Sequence, residues 1–162
     1  MAGFEAGLGL GSNIGDKAAN IAEAVRRLCA DGSVTLQAMS QNYRTAPWGV
    51  VEQDFFANAA AIVRTTLEPL DLLAHAKGIE RAMGREAGAR WGPRLIDVDL
   101  LFFGDRTLDS EHLTLPHRDL FNRAFVLVPL AEIAPDLVLG GRSVAAAAAA
   151  MQTPDVVKWV RS

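Results

Sequence analysis

The chain has 162 residues, of which 50% are hydrophobic and 22% charged, with a formal net charge of -3. Those totals fit one globular domain with a buried core and exclude a disordered chain. The negative balance argues against a nucleic-acid-binding surface. Cys29 is the only cysteine, which rules out an internal disulfide and a multi-cysteine zinc site. Glu5 stands where a signal peptide has a basic segment. No stretch approaches the roughly 20 uninterrupted apolar residues of a membrane span, so a cytoplasmic protein is expected.

Along the chain, strand and helix signals alternate without repeats. Phe4 to Leu10 is a short Gly-rich apolar run, followed by a turn over residues 11–15. Asp16 is a good N-cap for a helix in which Ala18, Ile21, Val25 and Leu28 recur at helical spacing. After Gly32, Val34 to Tyr43 reads as a strand with Val34, Leu36 and Ala38 on one face. Residues 44–53 read as a loop, and Phe55 to Thr65 as a strand. Pro69 opens a second helix with a stripe of Leu72, Ala76, Ile79 and Met83, and Gly84 is its expected stop. Residues 85–93 then form a polar loop, and Leu95 to Phe103 a further strand. The order predicts an α+β fold with a ferredoxin-like βαββαβ core, two helices covering one face of an antiparallel sheet. Beyond Gly104 the spacing predicts a turn at 115–117, a short helix near Asn122 to Leu130, and an exposed or loosely packed alanine helix over 145–150.

Asp97 and Asp99 interrupt the apolar run of the last of these core strands. Residues i and i+2 of a strand share a face, roughly 7 Å apart, so the two carboxylates project side by side. Such a pair is costly without a cation between them. Arg90 and Arg94, on the Trp-Gly-Pro turn upstream, could supply it, and so could divalent metal ions held together with substrate phosphates. Arg85, Arg90, Arg94 and Arg123 together look like a polyphosphate clamp, although each alone reads as a surface charge. Gly7, Gly9 and Gly11 suggest a dinucleotide fingerprint, but Ile14 occupies the third glycine position, so a tight strand-to-helix connection is expected instead. Phe56 and Asn58 share a strand face and could stack on a flat heterocycle and read its edge, or could simply be core and turn residues.

These residues resemble the 6-hydroxymethyl-7,8-dihydropterin pyrophosphokinase family. The resemblance is carried by the run Arg90 to Leu101 and by Gly11-Ser12-Asn13, Tyr43-Arg44-Thr45, Phe56 to Ala59, Ile79-Glu80, Gly84-Arg85, Thr114 to His117, Asn122 to Phe125 and Pro129-Leu130. It implies transfer of pyrophosphate from ATP to the pterin hydroxymethyl group with release of AMP. It implies two Mg²⁺ ions on Asp97 and Asp99, with Arg85 and Arg94 assisting the transfer. ATP contacts are implied for Glu80, Arg85, Trp91, Arg94, Leu100, Thr114, His117 and Arg123. Pterin contacts are implied for Thr45, Ala46, Trp48, Phe56, Asn58, Asp97 and Phe125. A monomer acting on small molecules, without nucleic acid or membrane, is expected. The chain departs from the family's pattern in the loop Glu86-Ala87-Gly88-Ala89, which lacks the extra basic residues of some members, and in His112, Phe56 and Ala46. A different phosphoryl transferase, or a non-catalytic binding module, would share the fold without the reaction. The presence of all four of Arg85, Arg94, Asp97 and Asp99 speaks against the module.

Overall fold

The computed structural model describes residues 3–45, 55–87, 95–151 and 156–159, and for residues 85–87 the backbone alone. Its strands and helices follow the order β1 (Phe4–Ser12), α1 (Lys17–Leu28), β2 (Val34–Met39), β3 (Tyr43–Thr45), β4 (Phe56–Thr65), α2 (Pro69–Ala87) and β5 (Asp97–Phe103). Two short strands, β6 (Leu108–Asp109) and β7 (Thr114–Leu115), come next, then a 3-10 turn (Leu120–Asn122) and α3 (Ala124–Ile133). The chain ends in β8 (Val138–Leu139), β9 (Arg142–Ser143), α4 (Val144–Met151) and β10 (Val156–Lys158). The main sheet runs β10-β3-β4-β1-β5, with β2 also pairing β4, and every pairing is antiparallel.

Alternation along β1 sorts the core into two faces. Ala6, Leu8 and Leu10 point into a cluster with Ile21, Leu28, Leu72, Ala76 and Ile79, so α1 and α2 cover that face. Asp16 caps α1 as expected, accepting from the Ala19 amide at 3.1 Å. On the opposite face Ala60, Ile62, Leu101 and Phe102 pack with Leu120, Leu127, Leu130 and Val144. α3 and α4 therefore cover part of the second face and leave the rest open. The alanine helix is half-exposed, as its composition predicts, with Ala147 and Ala148 lying against this second cluster.

Three expectations are corrected. The run Val34 to Tyr43 is two strands: Ser40 donates its amide to the Ala60 carbonyl, and its hydroxyl accepts the Ala60 amide, both at 2.9 Å. That side chain replaces a backbone partner, so an extra residue is accommodated between Met39↔Ala61 and Tyr43↔Asn58. A further register shift between Leu36 and Ala38 parts Ala38, which packs on the second face, from Val34 in the first cluster, and Leu36 between them is exposed. Gly84 does not stop α2, which continues to Ala87; a glycine inside a helix costs about 1 kcal/mol without breaking it. Gly11, expected to open the turn over 11–15, is still a strand residue of β1, as Gly7 and Gly9 are.

On α1, Glu23 accepts from Arg26 at 2.8 and 2.7 Å and from Arg27 at 2.6 Å. These hydrogen bonds hold its carboxyl down to about 2, from an ordinary 4.5. A lowered folded value stabilises the protein above the unfolded value, and that contribution fades as pH falls through the window from 4.5 to about 2. Thermal melts of wild type and Glu23→Gln are expected to differ at pH 7, and the gap to narrow below pH 4.5 and close only as pH falls to about 2.

Candidate active site

The uncovered part of the second face is a cavity of about 480 Å³. Its floor is set by strand register: Gly11 lies between Asn58 on β4 and Asp97 on β5, and Gly9 lies between Ala60 and Asp99. A Cβ on Gly11 would come within 2.9 Å of Asn58 Oδ1, so the glycine leaves the amide its place. Asn58 donates through Nδ2 to Thr45 Oγ1 at 2.9 Å, which turns its carbonyl oxygen towards Gly11 as an acceptor. Phe56 on β4 and Phe125 on α3 also line the cavity, as does Arg123. Arg123 pairs with Asp119 at 3.0 Å and lies over the Phe125 ring.

A second cavity, of about 330 Å³, opens on the other side of Asp99. Lys77, Leu100, His112, Thr114 and His117 line it. The His117 amide donates to the Leu101 carbonyl at 2.7 Å, just after the cis Leu115–Pro116 bond, which ties this segment to β5. The Asp119 amide donates to His117 Nδ1 at 3.1 Å, so in the neutral ring Nε2 carries the proton. Asp99 lines both cavities, and Asp97 the first.

The counter-charge beside Asp99 comes from α2. Lys77 Nζ lies 3.6 Å from Asp99 Oδ1, and donates to Glu80 at 3.0 Å and to the Val98 carbonyl at 2.9 Å. Glu80 accepts the Val98 amide at 2.6 Å. Both backbone groups of the residue between the two aspartates are thus held by one turn of α2. Sequence reading proposed Arg90 and Arg94 for this charge and missed Lys77. Its spacing to Glu80 was visible, but nothing in the sequence places α2 against β5.

A second anchor, also missed, fixes β3. Tyr43 donates its hydroxyl to Glu132 at 2.6 Å, and the Gln41 amide donates to the same carboxylate at 3.3 and 3.2 Å. Burial, then the hydrogen bond to Glu132, pushes the phenol well above its ordinary range. The strand that ends in Thr45 is thereby tied to the helix that begins beside Phe125.

The expected site residues sort accordingly. Thr45, Phe56, Asn58, Asp97, Arg123 and Phe125 gather at the first cavity; Leu100, Thr114 and His117 line the second; Asp99 serves both. Glu80 lines neither of these cavities and braces β5. Arg85 falls in the last turn of α2 instead of a loop, its side chain outside the described residues. Ala46, Trp48, Arg90, Trp91 and Arg94 also lie outside them. Among the described residues no third acid, histidine or cysteine joins the pair in a metal-binding group, and no helix is long and apolar enough to cross a membrane.

The model of the 7,8-dihydro-6-hydroxymethylpterin-pyrophosphokinase family matches residues 7–135. The chain belongs to this family. It is 55% identical over 137 residues to the 2-amino-4-hydroxy-6-hydroxymethyldihydropteridine pyrophosphokinase of Methylorubrum extorquens, covering 85% of this chain and 87% of that one. The Bacillus subtilis enzyme of the same name is 41% identical over 126 residues, covering 78% and 75%. Among solved structures, wild-type Plasmodium falciparum HPPK-DHPS with pteroate matches with a TM-score of 0.73 at 17% identity, a likeness of fold. That match covers 93% of this chain but only 42% of the larger one.

Removing the Tyr43 hydroxyl takes one donor from Glu132, whose carboxylate is exposed and can turn to water instead. Tyr43→Phe is expected to cost about 1 kcal/mol of stability, measured by urea unfolding.

Proposed function

We propose that the chain is a 2-amino-4-hydroxy-6-hydroxymethyldihydropteridine pyrophosphokinase, transferring pyrophosphate from ATP to the hydroxymethyl group of 6-hydroxymethyl-7,8-dihydropterin and releasing AMP. The observation that carries this reading is the acidic pair at the junction of two cavities, one lined by aromatic rings and an amide, the other by polar groups. Transfer between two bound substrates needs such a junction, because the reacting atoms must meet in line. The strand order β5-β1-β4-β2/β3, with α1 and α2 on one face, supports the ferredoxin-like arrangement as the frame.

The pterin enters the first cavity, its ring between Phe56 and Phe125. Asn58 Oδ1 accepts from the ring's N–H edge, and its orientation is already fixed by Thr45. The family resemblance assigns further pterin contacts to Ala46 and Trp48. ATP enters the second cavity, where Thr114 and the Nε2–H of His117 face its polar groups, Leu100 its base, and Arg123 reaches the phosphates from the first side. The resemblance assigns Trp91 to the same nucleotide, and Glu80 shapes its site through β5.

The donors fit Mg²⁺: two hard carboxylate oxygens share one face, and glycines opposite them keep the space clear. With no third ligand among the described side chains, each ion would fill its shell from phosphate oxygens and water. When bound, two Mg²⁺ ions on Asp97 and Asp99 would neutralise polyphosphate charge and acidify the attacking hydroxyl. Arg85 and Arg94 stabilise the charge spread over the transferring group. Asp97, facing the pterin cavity, orients the hydroxymethyl group, and Asp99 faces both substrates. The enzyme acts as a monomer on these small molecules.

Incubation with Mg²⁺, ATP and the pterin is expected to yield AMP; ADP as the nucleotide product, or no product, would overturn the assignment. Asp97→Ala and Asp99→Ala are each expected to lower kcat on the order of a thousandfold or more, with unchanged circular dichroism. Retained turnover in both would remove the metal assignment. Gly11→Ala places a methyl group against Asn58 Oδ1 and is expected to raise KM for the pterin about tenfold through the lost hydrogen bond, while KM for ATP holds. An unchanged pterin KM would take Asn58 out of substrate recognition.

A further inference from the structure

We propose that Lys77 is the resident counter-ion of Asp99, and that it keeps free divalent ions from collecting on the aspartate pair until a nucleotide polyphosphate brings them. The inference rests on the two-metal reading above and goes beyond it in assigning Lys77 a role in the order of loading. Three observations carry it. Lys77 Nζ lies 3.6 Å from Asp99 Oδ1, close enough for the ammonium to offset that carboxylate's charge. Its donation to the Val98 carbonyl and to Glu80 fixes the ammonium against the backbone between the two aspartates, so it cannot swing freely into solvent. Lys77 and Asp99 line the same cavity, on the side where ATP enters.

The ammonium is shared between Glu80 at 3.0 Å and Asp99 at 3.6 Å, and the consequence follows from the part of its charge that faces Asp99. A dication approaching the pair without nucleotide meets a positive charge already seated beside one of its two ligands, and its affinity is reduced. A dication carried by ATP arrives with phosphate oxygens, which complete its shell and give Lys77 a third anionic neighbour after Glu80 and Asp99. The repulsion is then offset. Lys77 acts through Asp99 and is a positioning residue.

The test is Mn²⁺ binding by the full chain without nucleotide, followed by electron paramagnetic resonance of the free ion. Lys77→Met and Lys77→Gln are each expected to bind Mn²⁺ about tenfold more tightly than wild type, as loss of a unit charge beside a dication requires. Lys77→Arg keeps the charge and is expected to match wild type. Lys77→Gln keeps a hydrogen-bond donor for Glu80 or Val98, so tightening in both neutral variants separates charge from bracing. A purely structural lysine would leave affinity unchanged or weaken it when removed, and either result would overturn the proposal. Asp99→Asn in the Lys77→Met background is expected to abolish the gain. Tight binding that survives this substitution means that Asp99 is not a ligand, and the metal reading itself fails. If Asp99→Asn weakens binding in the wild-type background while the neutral Lys77 variants bind no tighter than wild type, the counter-ion role alone fails.

Discussion

The site depends on a central strand that, beyond Glu5 at its start, carries no side chains on one of its faces. Gly7, Gly9 and Gly11 alternate along β1, and what fills the resulting trough changes down its length. At Gly7 the Phe102 ring occupies the space, so a methyl group there would collide with it; at Gly9 the Leu101 side chain lies at contact distance; at Gly11 the Asn58 amide leans over the strand. One glycine thus serves the core under α3, and another makes room for the Asn58 amide at the cavity. The opposite face of β1 carries Ala6, Leu8 and Leu10 and packs normally, so the strand holds the fold on one side while clearing a floor on the other.

The two aspartates stand at the edge of that floor, and their cost is offset locally. One turn of α2 supplies a cation for Asp99 and a carboxylate for the Val98 amide, while Lys77 takes the Val98 carbonyl. Val98 itself is fully buried among the residues under α1 and α2. β5 is therefore anchored by its buried residue, and the carboxylates on either side of it are held at a fixed separation and direction. Rigid placement of this kind is what positioning chemistry needs, because small misalignments between reacting groups are expensive.

Much of this was legible because strands alternate with a strict period. The shared face of Asp97 and Asp99, and that of Phe56 and Asn58, follow from i, i+2 spacing alone, and the helical stripes of α1 and α2 follow from theirs. The glycine trough was not legible: alternate glycines read only as a tight strand-to-helix connection when nothing shows what lies across the sheet from them. Lys77 was hidden for the same reason, since its role depends on α2 lying against β5. The break between β2 and β3 turns on one hydroxyl, that of Ser40, replacing a backbone carbonyl, and no periodicity reports that. Gly84 shows the converse: a local stop signal lost to a helix held by Ile79 and Met83 in the core.

The tie between Tyr43 and Glu132 bears on how firmly the walls of the first cavity are held. Glu132 sits at the far end of α3 from Phe125, and Tyr43 two residues before Thr45 on β3. A ten-residue helix is a stiff rod of about 15 Å, so pinning one end limits the swing of the other. Phe56 belongs to the strand that β3 pairs with, and Phe125 to the rod. The aromatic walls therefore behave like the jaws of a calliper locked at its hinge: they gauge the thickness of what lies between them.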